Sequence, residues 1–175
     1  FELPAAYGYY AAPKLDATAF LRASVTGWDQ YNLLPGPANV YLENRFVAET
    51  QLDPRLTRDT LNVGLGRDPR IAVRRERVRD FSARRALGNQ MREQFAFQIE
   101  LRNSKAEAVD LVVEDQVPVS RSGDVEVRLE EGHGAEHQAE TGKLTWRLRL
   151  AAGQTLRLRF AYEVRYPKGA QVVGL

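Results

Sequence analysis

A chain of 175 residues has room for one sizeable domain or two small ones. Its 43% hydrophobic and 27% charged residues are those of a folded globular protein, and the absence of cysteine excludes disulfides, thiol nucleophiles and thiolate-bound zinc. A net charge of +2 hides a segregation: nine arginines against three acids from Arg67 to Arg92, then nine acids against two arginines from Asp110 to Glu140.

No apolar run approaches the ~20 residues a membrane helix needs, and no signal peptide is readable. A start at Phe1-Glu2-Leu3-Pro4 rather than methionine is the start expected of a fragment or a processed form.

In chain order, strands are expected at Ala19–Thr26, Ala38–Thr50, Thr60–Gly64 and Arg70–Phe81. The punctuation between them is Leu34-Pro35-Gly36-Pro37, Asp53-Pro54 and Gly66-Arg67-Asp68-Pro69. Ser82–Leu87 has room for a turn or two of helix, and the loosest seam is Ala83–Gln90. Strict alternation then sets in. Phe95, Phe97, Ile99 and Leu101 share one face, followed after a turn at residues 103–107 by Val109, Leu111 and Val113. Val125, Val127 and Leu129 alternate with Glu126, Arg128 and Glu130.

The clearest pattern is last. Leu144, Trp146, Leu148 and Leu150 face one way, and after Ala151-Ala152-Gly153-Gln154 so do Leu156, Leu158, Phe160, Tyr162, Val164 and Tyr166. The short link, with Gly153 free to take positive φ, predicts an antiparallel hairpin. About nine strands with this punctuation predict an all-β, antiparallel β-sandwich, immunoglobulin-like in its C-terminal half, with two β regions over 1–86 and 87–175.

Several phrases carry a family likeness in their order and spacing. They are Tyr9-Tyr10-Ala11-Ala12-Pro13-Lys14-Leu15-Asp16, Leu33-Leu34-Pro35-Gly36, Leu52-Asp53-Pro54 through Asp59-Thr60-Leu61, Leu65-Gly66-Arg67-Asp68 and Asp80-Phe81-Ser82. In the second half Asp115–Ser120, Glu140–Trp146 and Tyr166-Pro167-Lys168 continue them. Together they resemble the C-terminal region of mucoidy inhibitor A-like bacterial proteins, a domain of unknown function (4139). The resemblance implies an all-β domain after an N-terminal β domain and a coiled coil, often in exported proteins, hence a periplasmic or envelope location. It implies no activity, no catalytic residue, no cofactor and no metal.

Four residue sets invite a chemical reading. Gly132-His133-Gly134-Ala135-Glu136-His137 spells His-x-x-Glu-His, a zinc-peptidase arrangement that works when a helix brings residues four apart onto one face. Here glycines flank the first histidine, and along a strand the two imidazoles would stand ~13 Å apart, so an exposed loop is the preferred reading. Asp115 falls on the core face with Val113 and Val117, where a carboxylate must be paired, and a structural role is preferred over a binding one. The basic stretch, Arg67, Arg74, Arg75, Arg77, Arg79, Arg84 and Arg85, is a candidate interaction surface. Its two uses are pairing with the acidic stretch, internally or between copies, and binding an acidic polysaccharide. Sparse aromatic interleaving speaks against nucleic acid. The tyrosines 7, 9, 10, 31 and 41 with Trp28 could stack on sugars, although aromatics in β proteins more often fill the core.

The function expected from the sequence is a non-catalytic interaction or scaffold module, with carbohydrate binding as the alternative. Its partner would be another protein, an upstream domain of the same chain, or a second copy.

Overall fold

The computed structural model describes residues 3–31, 33–42, 44–53, 55, 60–81 and 83–170. Twelve strands account for most of these: β1 (Ala5–Ala12), β2 (Asp16–Thr26), β3 (Gly36–Leu42), β4 (Arg45–Leu52), β5 (Thr60–Arg77), β6 (Arg84–Leu87), β7 (Gln90–Asn103), β8 (Val109–Gln116), β9 (Glu126–Glu131), β10 (Glu136–Gln138), β11 (Lys143–Leu150) and β12 (Thr155–Pro167). The all-β expectation holds.

One hydrogen-bonded sheet runs β10-β11-β8-β1-β2-β5-β7-β12-β9, with β6 also on β7, and it does not close. It folds over at the 18-residue β5, which pairs with β2 through its first part and with β7 over Ile71–Arg77. The result is two layers: β10, β11, β8, β1 and β2 in the first, β7, β12 and β9 in the second. All pairings are antiparallel except β1 with β8, a parallel contact the alternation pattern does not disclose.

The predicted hairpin at the end of the chain is not a hairpin. β11 pairs with β8 and β10, whereas β12 pairs with β7 and β9. The link at Ala151–Gln154 therefore crosses between layers, and Trp146 meets Phe160 through the core at 6.0 Å. The side-chain phase survives, because an arch and a hairpin both turn the same alternate residues inward. Leu144, Trp146, Leu150, Leu158, Phe160, Tyr162, Val164 and Tyr166 are all buried. Asn103 ties the arch. Its fully buried amide donates to the carbonyls of Glu107 (2.8 Å), Leu150 (3.3 Å) and Ala151 (2.9 Å), and its Oδ1 accepts from the Lys105 N–H (3.0 Å).

The first half departs from its expected boundaries for local reasons. The Ala38–Thr50 candidate is two strands, with Asn44 just before the second in the left-handed conformation that asparagine tolerates. Gly66 through Pro69 does not break β5. Gly66, at φ +102°, and the residues after it bulge instead, shifting the register twice against β2 and placing Pro69 where a ladder N–H is not required. Residues 84–87 are strand rather than helix. The sheet order also runs across the 1–86 and 87–175 division: β1 lies between β8 and β2, and the main core takes Tyr9, Ala11, Ala19, Ile71 and Val73 together with Leu101, Leu111 and Phe160.

A second, smaller core forms where the first layer extends past the other. There the β3–β4 hairpin, a separate two-stranded sheet, packs Val40 against Ala23 and Leu65, with Leu21, Leu42 and Val63 around them.

Candidate interaction site

The β3–β4 hairpin is an arm with one face buried and the other in water. Its register places Tyr41 opposite Phe46, one strand step from the turn. The two rings meet edge to face at 5.8 Å and are 62% and 59% exposed. Their arrangement follows from alternation: Val40 and Leu42 turn toward β2 and β5, so Tyr41 between them must turn away. Next to Phe46, a Cβ on Gly66 would lie 3.3 Å from Val47, so the bulge in β5 presses against β4 near the turn end of the arm. Beyond Tyr41 itself these residues carry no special mark in the sequence, because the reversal between β3 and β4 falls inside what reads as one strand.

Of the other aromatic candidates, Trp28 and Tyr9 are buried and Tyr10 is half-buried, while Tyr7 and Tyr31 reach the surface. Tyr9 belongs to a polar cluster at one end of the core. Its hydroxyl donates to Asp68 Oδ2 (2.7 Å) and accepts from Lys105 Nζ (3.0 Å), while Arg70 holds both carboxylate oxygens of Asp68. The bond from Arg70 keeps the Asp68 carboxyl well below the usual carboxylate range, against a burial effect of opposite sign and with help from Tyr9. Burial pushes the Tyr9 hydroxyl up. An acid held ionised and a phenol held neutral make a structural tie.

The basic stretch is dispersed rather than gathered. Arg67 pairs with Asp16 at 2.9 Å, Arg74 with Glu76, and Arg77 lies over the Phe95 ring at 4.6 Å. Arg75 turns inward and bonds Asp115 with Nε at 2.7 Å. Arg79 and Arg85 are exposed, and the side chain of Arg84 lies outside the described residues. Within one chain the basic and acidic stretches, expected to pair internally or between copies, do not run as neighbouring strands. Arg75–Asp115 joins them across the layers. Most of the other acids pair elsewhere: Asp110 with Arg149, Glu114 with Lys143, Glu126 with Arg165, Glu131 with Arg159 and Glu136 with Arg147. What the charge count could not reveal is that β12 lies between β7 and β9 and supplies arginines of its own.

Asp115 is the buried, paired residue its position demanded. Besides Arg75 it accepts the Gln116 N–H at 2.8 Å, a structural role as expected. The His-x-x-Glu-His run is a turn followed by the short β10. His133 sits in the turn at φ 45°, both imidazoles are exposed, and the carbonyls of Gly132 and His133 accept the Trp146 indole N–H at 3.1 and 3.2 Å. The segment caps a core tryptophan, and among the described residues no three His, Cys, Asp or Glu gather to hold a metal. Gly142, just beyond, has to be glycine: at φ +71° a Cβ there would stand 2.1 Å from the Val117 carbonyl oxygen.

No helix of the described residues is long and apolar enough to cross a membrane. Protein F37C4.5 of Caenorhabditis elegans is 23% identical over 185 residues, an alignment that takes in 98% of this chain and 33% of the nematode protein. The chain thus spans about a third of that curated relative. Residues 12–168, from the last residue of β1 to just past β12, match the family described as domain of unknown function DUF4139, and the chain belongs to that family.

Proposed function

We propose that this domain is a non-catalytic interaction module whose contact surface is the β3–β4 arm. The observation behind this reading is Tyr41 beside Phe46, two large rings in water on the outward face of a hairpin whose other face is buried. Aromatic side chains supply large contact area at low entropic cost and dominate the centres of protein interfaces. The occupant is another part of the polypeptide in which such a domain is embedded, since about two thirds of the nematode relative lies outside the match. The envelope setting implied by the likeness to mucoidy inhibitor A-like proteins belongs to the same proposal for this chain. The nematode relative argues against that setting being a requirement of the fold.

Photo-crosslinking tests the arm. Benzoylphenylalanine is placed at position 41 in the polypeptide as its gene encodes it, and the crosslinked peptides are identified by mass spectrometry. Crosslinks to polypeptide outside residues 1–175, lost with Phe46→Ser, are the expected result. Crosslinks from arm to arm would replace the occupant with a second copy, and a pattern no different from a probe at exposed Arg147 would remove the arm as an interaction surface.

A second reading, binding of acidic polysaccharide, draws its support from a row of arginines across β6, β7 and β12.

A further inference from the structure

Two strand registers together build that row. β6 sets Arg85 opposite Arg92, and β12 sets Arg165 opposite Arg92 from the other side. Directly opposed residues share a face, so three arginines stand abreast on the outward face of the second layer, over a width of about 10 Å at ordinary strand spacing. Like charges in that relation destabilise a sheet unless something compensates them. The compensation is uneven. Glu163, whose side chain is fully buried although its position alternates with core residues, accepts from Arg92 Nε, from Arg165 Nε at 2.6 Å and from Gln94 at 3.4 Å. Glu126 adds a second carboxylate at the Arg165 end, 3.8 Å away.

The other end has neither. Arg85 is exposed, with no carboxylate in ion-pair range among the described residues, and with Ala83, Arg92 and Gln94 it lines a cavity of about 260 Å³. The recorded bond from Arg92 to Glu163 uses Nε, one of the five N–H donors of a guanidinium. Glu163 therefore orients Arg92 without exhausting it.

We propose that this cavity is an oxyanion site, in which a phosphate or carboxylate group is held between Arg85 and Arg92. Planar guanidinium forks match two oxygens of one acidic group, the geometry that makes arginine the preferred residue for such ligands. Phosphate esters and the carboxylates of uronic-acid sugars both carry this chemistry. The site rests on strands other than the arm and stands or falls independently of it.

The test is a thermal-shift and NMR titration of the domain with inorganic phosphate and with glucuronate, against sodium chloride at equal ionic strength. A ligand that binds only the folded state raises the melting temperature with saturation. The expected result is a saturable rise with at least one oxyanion that chloride does not reproduce. Arg85→Gln should weaken it at least tenfold and Arg85→Lys by less, while Arg79→Gln, an exposed arginine outside the row, leaves it unchanged. Tighter binding of glucuronate would identify an acidic-sugar ligand, and tighter binding of phosphate a phosphate ester. Absence of saturation with both probes would overturn the site, as would equal weakening by Arg79→Gln and Arg85→Gln, which marks diffuse screening.

Discussion

Arg75 reaches across the interior of the sandwich to Asp115, from strands in different layers, with Nε 2.7 Å from Oδ2 and Nη2 3.2 Å from Oδ1. The Asp115 side chain is wholly buried and that of Arg75 18% exposed, its guanidinium lying over the Phe97 ring at 3.9 Å and within 5.6 Å of Phe160. A bidentate, ring-stacked pair satisfies both charges where water cannot. It also restricts how the two layers can slide past each other, since a shift of either strand would separate the two groups.

Breaking this pair should cost far more than replacing it. Asp115→Leu leaves an uncompensated guanidinium inside, for which about 3–5 kcal/mol is expected, whereas Arg75→Met with Asp115→Leu should recover most of the loss. Urea denaturation of the wild type, both single variants and the double closes the cycle. A double variant as unstable as the sum of the singles would show that the two side chains do not act as a pair.

This pair shows how much of the interior was legible. Counting by twos put Asp115 on the core face, and the same count along β5 puts Arg75 on the face of Ile71 and Val73. Two charges of opposite sign on core faces are each other's natural partners, a signal present in the sequence but masked by the richness in arginine around it. Side-chain phase was readable nearly everywhere because alternation is a local property. Pairing was not. The Ala151–Gln154 link serves an arch as well as a hairpin, and nothing local distinguishes them. The arch depends on Asn103, which lies some fifty residues away, and on β7 and β8 as partners. The row Arg85, Arg92 and Arg165 was hidden in part for the same reason: β6 and β7 form a local hairpin, but Arg165 joins the row through the long-range pairing of β12 with β7. Glu163 alternates with core residues and so falls on the outward face, because its burial comes from Arg92 and Gln94 on β7 together with Arg165 on its own strand, not from the phase of its segment.

The inward phase of β11 makes Trp146 a core residue and Arg147 a surface one. Trp146→Ala should destabilise by about 3–5 kcal/mol, the usual loss for a large buried ring. Arg147→Ala should change stability by less than about 0.5 kcal/mol. Chemical denaturation reads both, and equal midpoints would contradict the phase.

Asn103 is replaceable only by a group that donates twice. Asn103→Ala strands the buried carbonyls of Leu150 and Ala151 and is expected to cost about 2–3 kcal/mol. Asn103→Asp is predicted to be worse at pH 7 than at pH 4, because an ionised carboxylate only accepts and would face carbonyl oxygens. Melting temperatures of the two variants at both pH values decide this. Asp at 103 tolerated equally at both would mean that the amide donors do not hold the arch.

Acid should loosen the fold through Asp68 and Glu163. Arg70 holds the Asp68 carboxyl low, against burial, with Tyr9 assisting. For Glu163 burial alone would raise the carboxyl, and the bonds from Arg165 and Arg92 more than reverse it. Both groups therefore bind protons less readily folded than unfolded, where ordinary values are 3.8 and 4.5. When pH falls below about 4 the unfolded chain takes up protons first, so the stability these carboxylates contribute is present above that pH and fades beneath it. Tyr9 works at the other extreme: burial raises it, so its contribution is present below about pH 10 and is lost as pH climbs further. Urea midpoints measured from pH 2.5 to 8 should show a neutral plateau and an acid decline. Asp68→Asn and Glu163→Gln should each lower the plateau and flatten the decline, since the titrating group is gone while the fold persists. Variants that keep the wild-type acid slope would place the acid sensitivity in other carboxylates and remove these two from the account.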